Sequence, residues 1–455
     1  MIEHNPLGYE KEAVLLKKFA IPSIISMVVS SLYNIVDQIF IGQGVGYLGN
    51  AATNVAFPLT TICLAICLML GVGTASRFSL NLGAGKIEQV KKVVGNAIVC
   101  MIGAGIIYVV LVQTFLIPLL KAFGATTTVL PYAITYTRIT TMGIPFLIIC
   151  NISSNMIRAD GSPKYSMMCM VVGAIVNTVL DPLFIFVFHM GVAGAAWATI
   201  LGQIISAIVA VRYLFHFKNI TLRREDIRFR FDELKQTCAI GISSGINQFA
   251  ILLVQIVMNN SLTHYGALSI YGADIPLAAC GVVMKVNGIL MGFVIGISQG
   301  MQPIAGFNYG AKRFDRVQNV LKLAISLNLI ISFVAWLAFQ FGSGPILSLF
   351  GSQDGLYFEF AQKFMHIFLF MCIVNGIQVI SSGFFSSIGK PLKGMILSLT
   401  RQVIFFIPFV LILGRIFGLN GIMYSAPISD GIAFVVALFF LLGEIKNLKE
   451  LHAEQ

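Results

Sequence analysis

Asn81-Leu82-Gly83-Ala84 returns as Asn308-Tyr309-Gly310-Ala311, and Gly191-Val192-Ala193-Gly194 returns as Gly418-Leu419-Asn420-Gly421, both displaced by 227 residues. The loop Asp160-Gly161-Ser162-Pro163 is answered 228 residues later by Ile388-Gly389-Lys390-Pro391. Toward the start of each half the offset shrinks to 221, pairing Pro22 with Ser243, and an extra stretch at 269–275 restores the longer spacing. One unit is therefore written twice along 455 residues.

The unit is built for lipid. With 57% hydrophobic and 11% charged residues and a mean hydropathy of +0.88, the chain lacks the material for a water-soluble surface. Apolar stretches that reach the roughly 20 residues a membrane helix needs lie near 14–43, 51–76, 93–120, 130–157, 164–188 and 192–216. Six more lie near 238–263, 276–305, 317–342, 358–387, 394–414 and 421–443. The predicted fold is an all-α polytopic membrane protein of twelve transmembrane helices, in two pseudo-symmetric six-helix lobes around a central cleft. The N-lobe covers 1–217, a charged cytoplasmic linker 218–237, and the C-lobe 238–455. Two copies of one helical bundle point to a transporter.

Charge placement sets the expected orientation, because Lys and Arg are retained on the cytoplasmic side. Lys86, Lys91, Lys92, Arg223, Arg224, Lys312, Arg313, Lys390 and Lys393 all fall in the loops expected beside the two termini, whereas Lys121 and Arg415 mark the opposite side. Both termini are thus expected in the cytoplasm. The net charge of +11 follows from topology and suits anionic lipid headgroups, with no call for nucleic acid. The first span is too long for a signal-peptide core and no small-residue cleavage site follows it.

Several chemistries lose their footing in the sequence. All eight cysteines sit in or beside apolar spans and read as small core residues; Cys63 and Cys67 share a helix face, but no further Cys or His joins them as metal ligands. The six histidines form no catalytic pair, no phosphate-binding Gly-Lys loop occurs, and no soluble stretch is long enough for a nucleotide fold. No enzyme, resident metal or cofactor is expected.

Intramembrane polar residues carry the functional signal, because an acid at a helix centre costs about 2.5–3.5 kcal/mol on insertion scales. Asp37 lies in the first span and Asp181 in the fifth. Asn177 and Asp181, four apart, share a helix face, and Pro182 frees the carbonyl of Thr178. Thr199 adds a hydroxyl if its helix packs beside the fifth. In the second half the equivalent positions hold Met258, Ile404, Pro408 and Ala426, so the polar cluster belongs to one lobe. Two carboxyls in a dry cavity can take up a proton or be neutralised by Na+, and either event biases a two-state rearrangement. The alternative is a pair of protonated, hydrogen-bonded acids that serve packing. Asn34, Gln38, Gln255, Lys285 and Asn375 are candidate substrate-cleft residues. Lys285 can also snorkel to an interface, and Arg401 and Asp430 fall nearer helix ends and read as structural. Met and Phe side chains can repack around varied apolar ligands, but their stripes serve core or lipid contact first.

At these residues the chain resembles the multidrug and toxic compound extrusion (MATE) family, and looks most like its MepA-like branch. The resemblance rests on the six-plus-six repeat, Asp37 ahead of Ile41-Gly42, the Arg158-Ala159-Asp160-Gly161 loop, the Asn177–Pro182 stretch and Gly191 to Ala196. It implies export of bulky, often cationic drugs by antiport with Na+ or H+ through alternating access, in a monomer. It also implies that Asp37, Asn177, Asp181 and Thr199 form an N-lobe coupling-cation site, with no metal cofactor. The chain departs from members with C-lobe acids, since it has Ile251 and Gln255 in the seventh span and Asn375 in the tenth. The rival reading is a lipid-linked oligosaccharide flippase, whose cavity would be markedly cationic to hold pyrophosphate.

Overall fold

The computed structural model describes residues 5–348 and 355–453. In the N-lobe it places α1 (Glu12–Val45), α2 (Tyr47–Gly83), α3 (Ile87–Thr114), α4 (Leu130–Ala159), α5 (Pro163–Pro182) and α6 (Gly191–Leu214). In the C-lobe it places α7 (Phe231–Ala267), α8 (Asp274–Gly310) and α9 (Phe314–Phe341). The broken helix α10 has arms Gly355–Phe368 and Cys372–Ser387, α11 runs over Pro391–Phe417, and α12 over Leu419–Ala453. Among the described residues, eleven of these are single helices long and apolar enough to cross a membrane, and the arms of α10, bent by 52°, form the twelfth.

The helices differ from the sequence expectation where their backbones change course. The third span does not run on to 120; it stops at Thr114, and a separate short helix, Leu116–Ala122, follows. The tenth is broken between Phe368 and Cys372. Pro182, which cannot donate to the ladder, is followed by a π-helical turn, Leu183–Val187. A second π-helical stretch, Thr400–Phe406, lies inside α11. Pro22 lies well inside α1 and is buried.

The lobes meet chiefly along two seams exchanged by the internal repeat, α1 against α8 and α2 against α7, and α2 also packs against α8 near the ends where Gly83 and Gly310 lie. Small residues let backbones touch where lipid offers no hydrophobic driving force. A Cβ on Gly241 would lie 1.7 Å from the Met69 carbonyl oxygen, and one on Gly73 would lie 2.1 Å from that of Thr237. Gly300, the repeat partner of Gly73, is packed closely on Ala20, at 2.6 Å.

Followed away from the termini, both seams open. Along α8 the clearance to α1 is 2.5 Å at Gly296 and 3.4 Å at Gly292, and at Gly288 and Gly281 nothing lies within 4 Å. Along α7 the contact loosens from Gly241 to Gly245, at 3.3 Å, and beyond it Phe249, Leu253 and Ile256 are exposed. The lobes are therefore joined at the end that carries both termini and part toward the other end, leaving a cleft between them.

Polar contacts fasten the joined end. Arg77 of α2 pairs with Glu233 of α7 at 2.6 Å, and its guanidinium also donates to the Glu233 carbonyl at 3.0 Å and to Gln236 Oε1 at 2.7 Å. Both side chains of the pair are almost fully buried. Asn308 of α8 donates to the Leu7 carbonyl at 2.9 Å, and Arg313 donates to that of Gly8, strapping the N-terminal arm across the C-lobe. The linker is held by Asp160, which accepts from the backbone N–H groups of Lys218 and Asn219 at 2.6 and 3.1 Å and from the Tyr213 hydroxyl at 2.8 Å. Burial raises the Asp160 carboxyl pKa above its ordinary value, and these donors oppose the rise.

Removing one partner of a buried ion pair leaves the other charge uncompensated, at a cost of about 3–5 kcal/mol. Arg77→Met and Glu233→Leu are each expected to lower the thermal unfolding midpoint by several degrees, and the two together to recover part of the loss. Additive losses across that cycle would show that the pair does not fasten the lobes.

Candidate cation site and substrate cleft

The site in the N-lobe forms where α5 and α6 pack together and α1 crosses them. The i, i+4 spacing puts Asn177 and Asp181 on one face of α5, and both are buried. With its amide nitrogen toward the acid, Asn177 donates to Asp181 Oδ2 at 3.2 Å and accepts from Thr199 of α6 at 3.2 Å through N–H and 3.3 Å through the hydroxyl. That orientation, assigned from the hydrogen-bond network, satisfies both ends of the amide. Thr199 is thereby brought into the cluster, as its helical neighbourhood requires.

Asp37 completes the group from α1. Its carboxyl lies beside that of Asp181, an approach that two carboxylates tolerate only with a proton or a cation between them. Asp37 Oδ1 is enclosed and has no hydrogen-bond partner in the protein. Two residues absent from the sequence reading join the acids. The phenols of Tyr33 and Tyr136 both lie in the field of Asp37 and Asp181. Tyr33 precedes Asp37 by four positions, a helical spacing that marks it as a neighbour; Tyr136 arrives from α4 by tertiary packing and leaves no local sign. The outer side of the site is apolar: Ile41, Ile185 and Ala195 pack together with Phe40 and Tyr136 against them, and Phe40 meets Phe186 edge-on at 6.2 Å. Ile185 and Phe186 stand in the π-helical turn after Pro182, so the proline shapes the lid of the site as well as freeing a carbonyl.

The candidate cleft residues divide. Lys285 continues the face of α8 that carries Gly300, Gly296, Gly292 and Gly288, two turns beyond the last contact with α1, and it is exposed. It lies about 16 Å from Asp274 at 1.5 Å per residue. Gln255 likewise continues the diverging face of α7 and is exposed. Asn34 is exposed, with its amide nitrogen bonded to the Ser30 carbonyl of its own helix at 2.8 Å; Gln38 is half-buried. Asn375 leaves the set: it is 5% exposed, because the break in α10 turns it into the C-lobe interior.

Arg401 and Asp430 also need correction. They lie well inside α11 and α12 and form an ion pair, Arg401 Nε to Asp430 Oδ1, at 2.6 Å.

The MatE family model matches residues 22–183 and 244–412, one segment in each lobe. The multidrug export protein MepA of Staphylococcus aureus (strain NCTC 8325 / PS 47) is 24% identical over 438 residues, covering 95% of this chain and 94% of that protein. A structure described as the outward-facing conformation of a multidrug resistance MATE family transporter of the MOP superfamily superposes with a TM-score of 0.91. It is 22% identical, with 98% of each chain covered. A MOP superfamily transporter from Pyrococcus furiosus, for which a reversed polarity of the binding pocket is described, matches with the same TM-score, identity and coverage.

Acids retained for packing and acids retained for exchange respond differently to an apolar replacement. If Asp181 serves exchange, Asp181→Leu is expected to leave the unfolding midpoint within about 2 °C of the native value or to raise it, since a buried ionisable group is weak evidence for stability. A fall of many degrees would mark a packing role instead.

Proposed function

The chain belongs to the MatE family, and on that premise we propose that it is a secondary active multidrug efflux transporter, exporting bulky organic cations by antiport with Na+ or H+. The observation that carries this reading is the pair of N-lobe carboxyls, Asp37 and Asp181, facing each other beside a cleft between two lobes. The MepA relative is a multidrug export protein over nearly the whole length of this chain, which supports the same substrate class.

In this reading the basic loops and both termini face the bacterial cytoplasm, so the joined seams close the cytoplasmic side and the cleft opens outward. Drug enters from the cytoplasm or the inner leaflet when the seams exchange their closed and open ends. A cation then binds between Asp37 and Asp181; turning the Asn177 amide over brings its oxygen to the ion as a further ligand with the Thr199 hydroxyl behind it, and the phenols of Tyr33 and Tyr136 stand nearby. Na+ fits this set as an oxygen-liganded ion, and a proton shared by the two carboxyls fits the same atoms. Neutralising the acids removes the attraction they exert on a cationic drug, which is released outward. Coupling is therefore a differential affinity of cation and drug for two states of one lobe. No cofactor or nucleotide enters the cycle, and the monomer holds every residue involved.

The flippase alternative needs a cationic cavity for pyrophosphate. The N-lobe presents two acids with amide and hydroxyl partners, and Lys285 is the lysine that continues a diverging seam, so organic cations fit better.

Reconstituted protein given a Na+ gradient and a pH gradient in separate experiments tests the proposal. A fluorescent cationic drug should be driven by one of the gradients in the native protein. Asp37→Asn should abolish that gradient-driven movement at unchanged protein content, and Asn177→Ala should weaken it. Undiminished driven efflux in Asp37→Asn would refute the coupling site, and no drug movement under either gradient would refute the function.

A further inference from the structure

The C-lobe carries an ion pair of its own deep within the membrane-spanning region. Arg401 lies about 15 Å along α11 from Pro391, and Asp430 about 16 Å along α12 from Leu419, at 1.5 Å per residue. A hydrocarbon core is roughly 30 Å thick, so both are near its middle. Asp430 is 4% exposed, and Arg401 Nε donates to its Oδ1 at 2.6 Å.

The internal repeat gives this pair a meaning. Arg401 corresponds to Ala174 and Asp430 to Gln203. Ala174 is three residues before Asn177 on α5, and Gln203 is four after Thr199 on α6, so each shares a helix face with its neighbour. The α11–α12 seam thus holds Arg401 and Asp430 one turn away from the places equivalent to Asn177 and Thr199. At those places it has Ile404 and Ala426, and at the equivalent of Asp181 it has Pro408. Each lobe puts acid chemistry into its α5–α6-type seam. The N-lobe leaves two carboxyls facing each other, whereas the C-lobe provides a guanidinium.

Backbone irregularities gather at the C-lobe pair. The π-helical stretch Thr400–Phe406 includes Arg401, and π-bulges recur at functional sites. The break in α10 lies alongside: Phe368, at the end of its first arm, meets Phe406 at 6.1 Å. Met371, in the break, has its Cε 3.7 Å from where a Cβ on Gly431 would stand. Apart from Arg401 of α11, the titratable group facing Asp430 is Cys372 of α10.

We propose that Arg401 is a tethered cation that permanently supplies to the C-lobe the charge that an exchangeable cation supplies to the N-lobe, so that transport couples to the N-lobe site alone. The proposal rests on the N-lobe reading given above. A guanidinium neither deprotonates in proteins nor diffuses away, so the C-lobe keeps one charge state through the cycle while the N-lobe alternates. Arg401 is in this sense a positioning residue: it pins the π-wound α11 to α12 beside the kinked α10 and keeps Asp430 from becoming a second exchange site.

The test is cation-dependent thermal stability of the purified protein, measured with Na+ replaced by choline and, separately, across pH. Asp37→Asn with Asp181→Asn should remove the cation-dependent rise in unfolding midpoint. In that background Arg401→Met should create a new one, because Asp430 then needs a proton or Na+. Adding Asp430→Asn should abolish it, and Arg401→Lys should create none. Absence of a new shift in folded Arg401→Met would overturn the proposal, as would a residual shift in the two-Asn background that Asp430→Asn removes while Arg401 is intact. Should Arg401→Met not fold, Arg401→Met with Asp430→Leu in the otherwise native chain replaces it. Retained gradient-driven efflux at unchanged ion stoichiometry supports the tethered-cation role, and lost efflux at native expression overturns it. Failure of the N-lobe reading shows separately, as a native shift that both Asn substitutions leave intact; the Arg401→Met comparison in that background still decides the C-lobe question.

Discussion

Two carboxyl groups close together inside a helical lobe, Asp181 buried and Asp37 half-buried, cannot readily both remain charged unless a proton or a cation lies between them. The rest of the molecule can be read from that constraint. Asp37 reaches the pair from α1, the helix that also forms a seam with the opposite lobe, so a change of charge at the acids acts on an element already part of the closure. Asn177, held by Thr199, bonds Asp181 from the α5–α6 side, leaving Asp37 as the member carried by a helix of the inter-lobe seam. The chemistry is modest and its leverage comes from where it is placed.

The seams show what that leverage works against. Gly241 and Gly300 bring backbones into contact at the end near the termini, and the same helix faces separate beyond Gly245 and Gly292. Reversing the cleft requires these contacts to be given up, together with the buried Arg77–Glu233 pair. Each seam is one helix of the N-lobe against one of the C-lobe, so the two lobes can exchange ends by rocking, with little internal repacking. The C-lobe pair, Arg401 and Asp430, fits such a division of labour, with one lobe of constant charge and one that alternates.

Much of this was legible in the sequence. The repeat was visible because lobes related by pseudo-symmetry keep short motifs at a fixed offset, and the acids stood out because a carboxylate in an apolar span is costly. Thr199 could be assigned to the cluster because sequential helices pack side by side. Tyr136 could not, since it comes from α4 and nothing local distinguishes it from an interfacial tyrosine. The break in α10 was invisible because Leu369-Phe370-Met371 contains neither Pro nor Gly. The depth of Arg401 and Asp430 was misjudged although each already lies within three residues of the midpoint of the apolar stretch expected for it, 394–414 and 421–443, and their pairing is a tertiary fact between helices.

The central claim is that occupancy of the Asp37–Asp181 pair moves one lobe relative to the other. Spin labels at Phe57 on α2 and Leu253 on α7, both exposed in the parts of their helices away from the termini, would report the separation of the lobes there. The account predicts that raising Na+ or proton concentration redistributes this distance in the native chain and leaves it unchanged in Asp37→Asn with Asp181→Asn. A distance that responds equally in both proteins, or in neither, would contradict it.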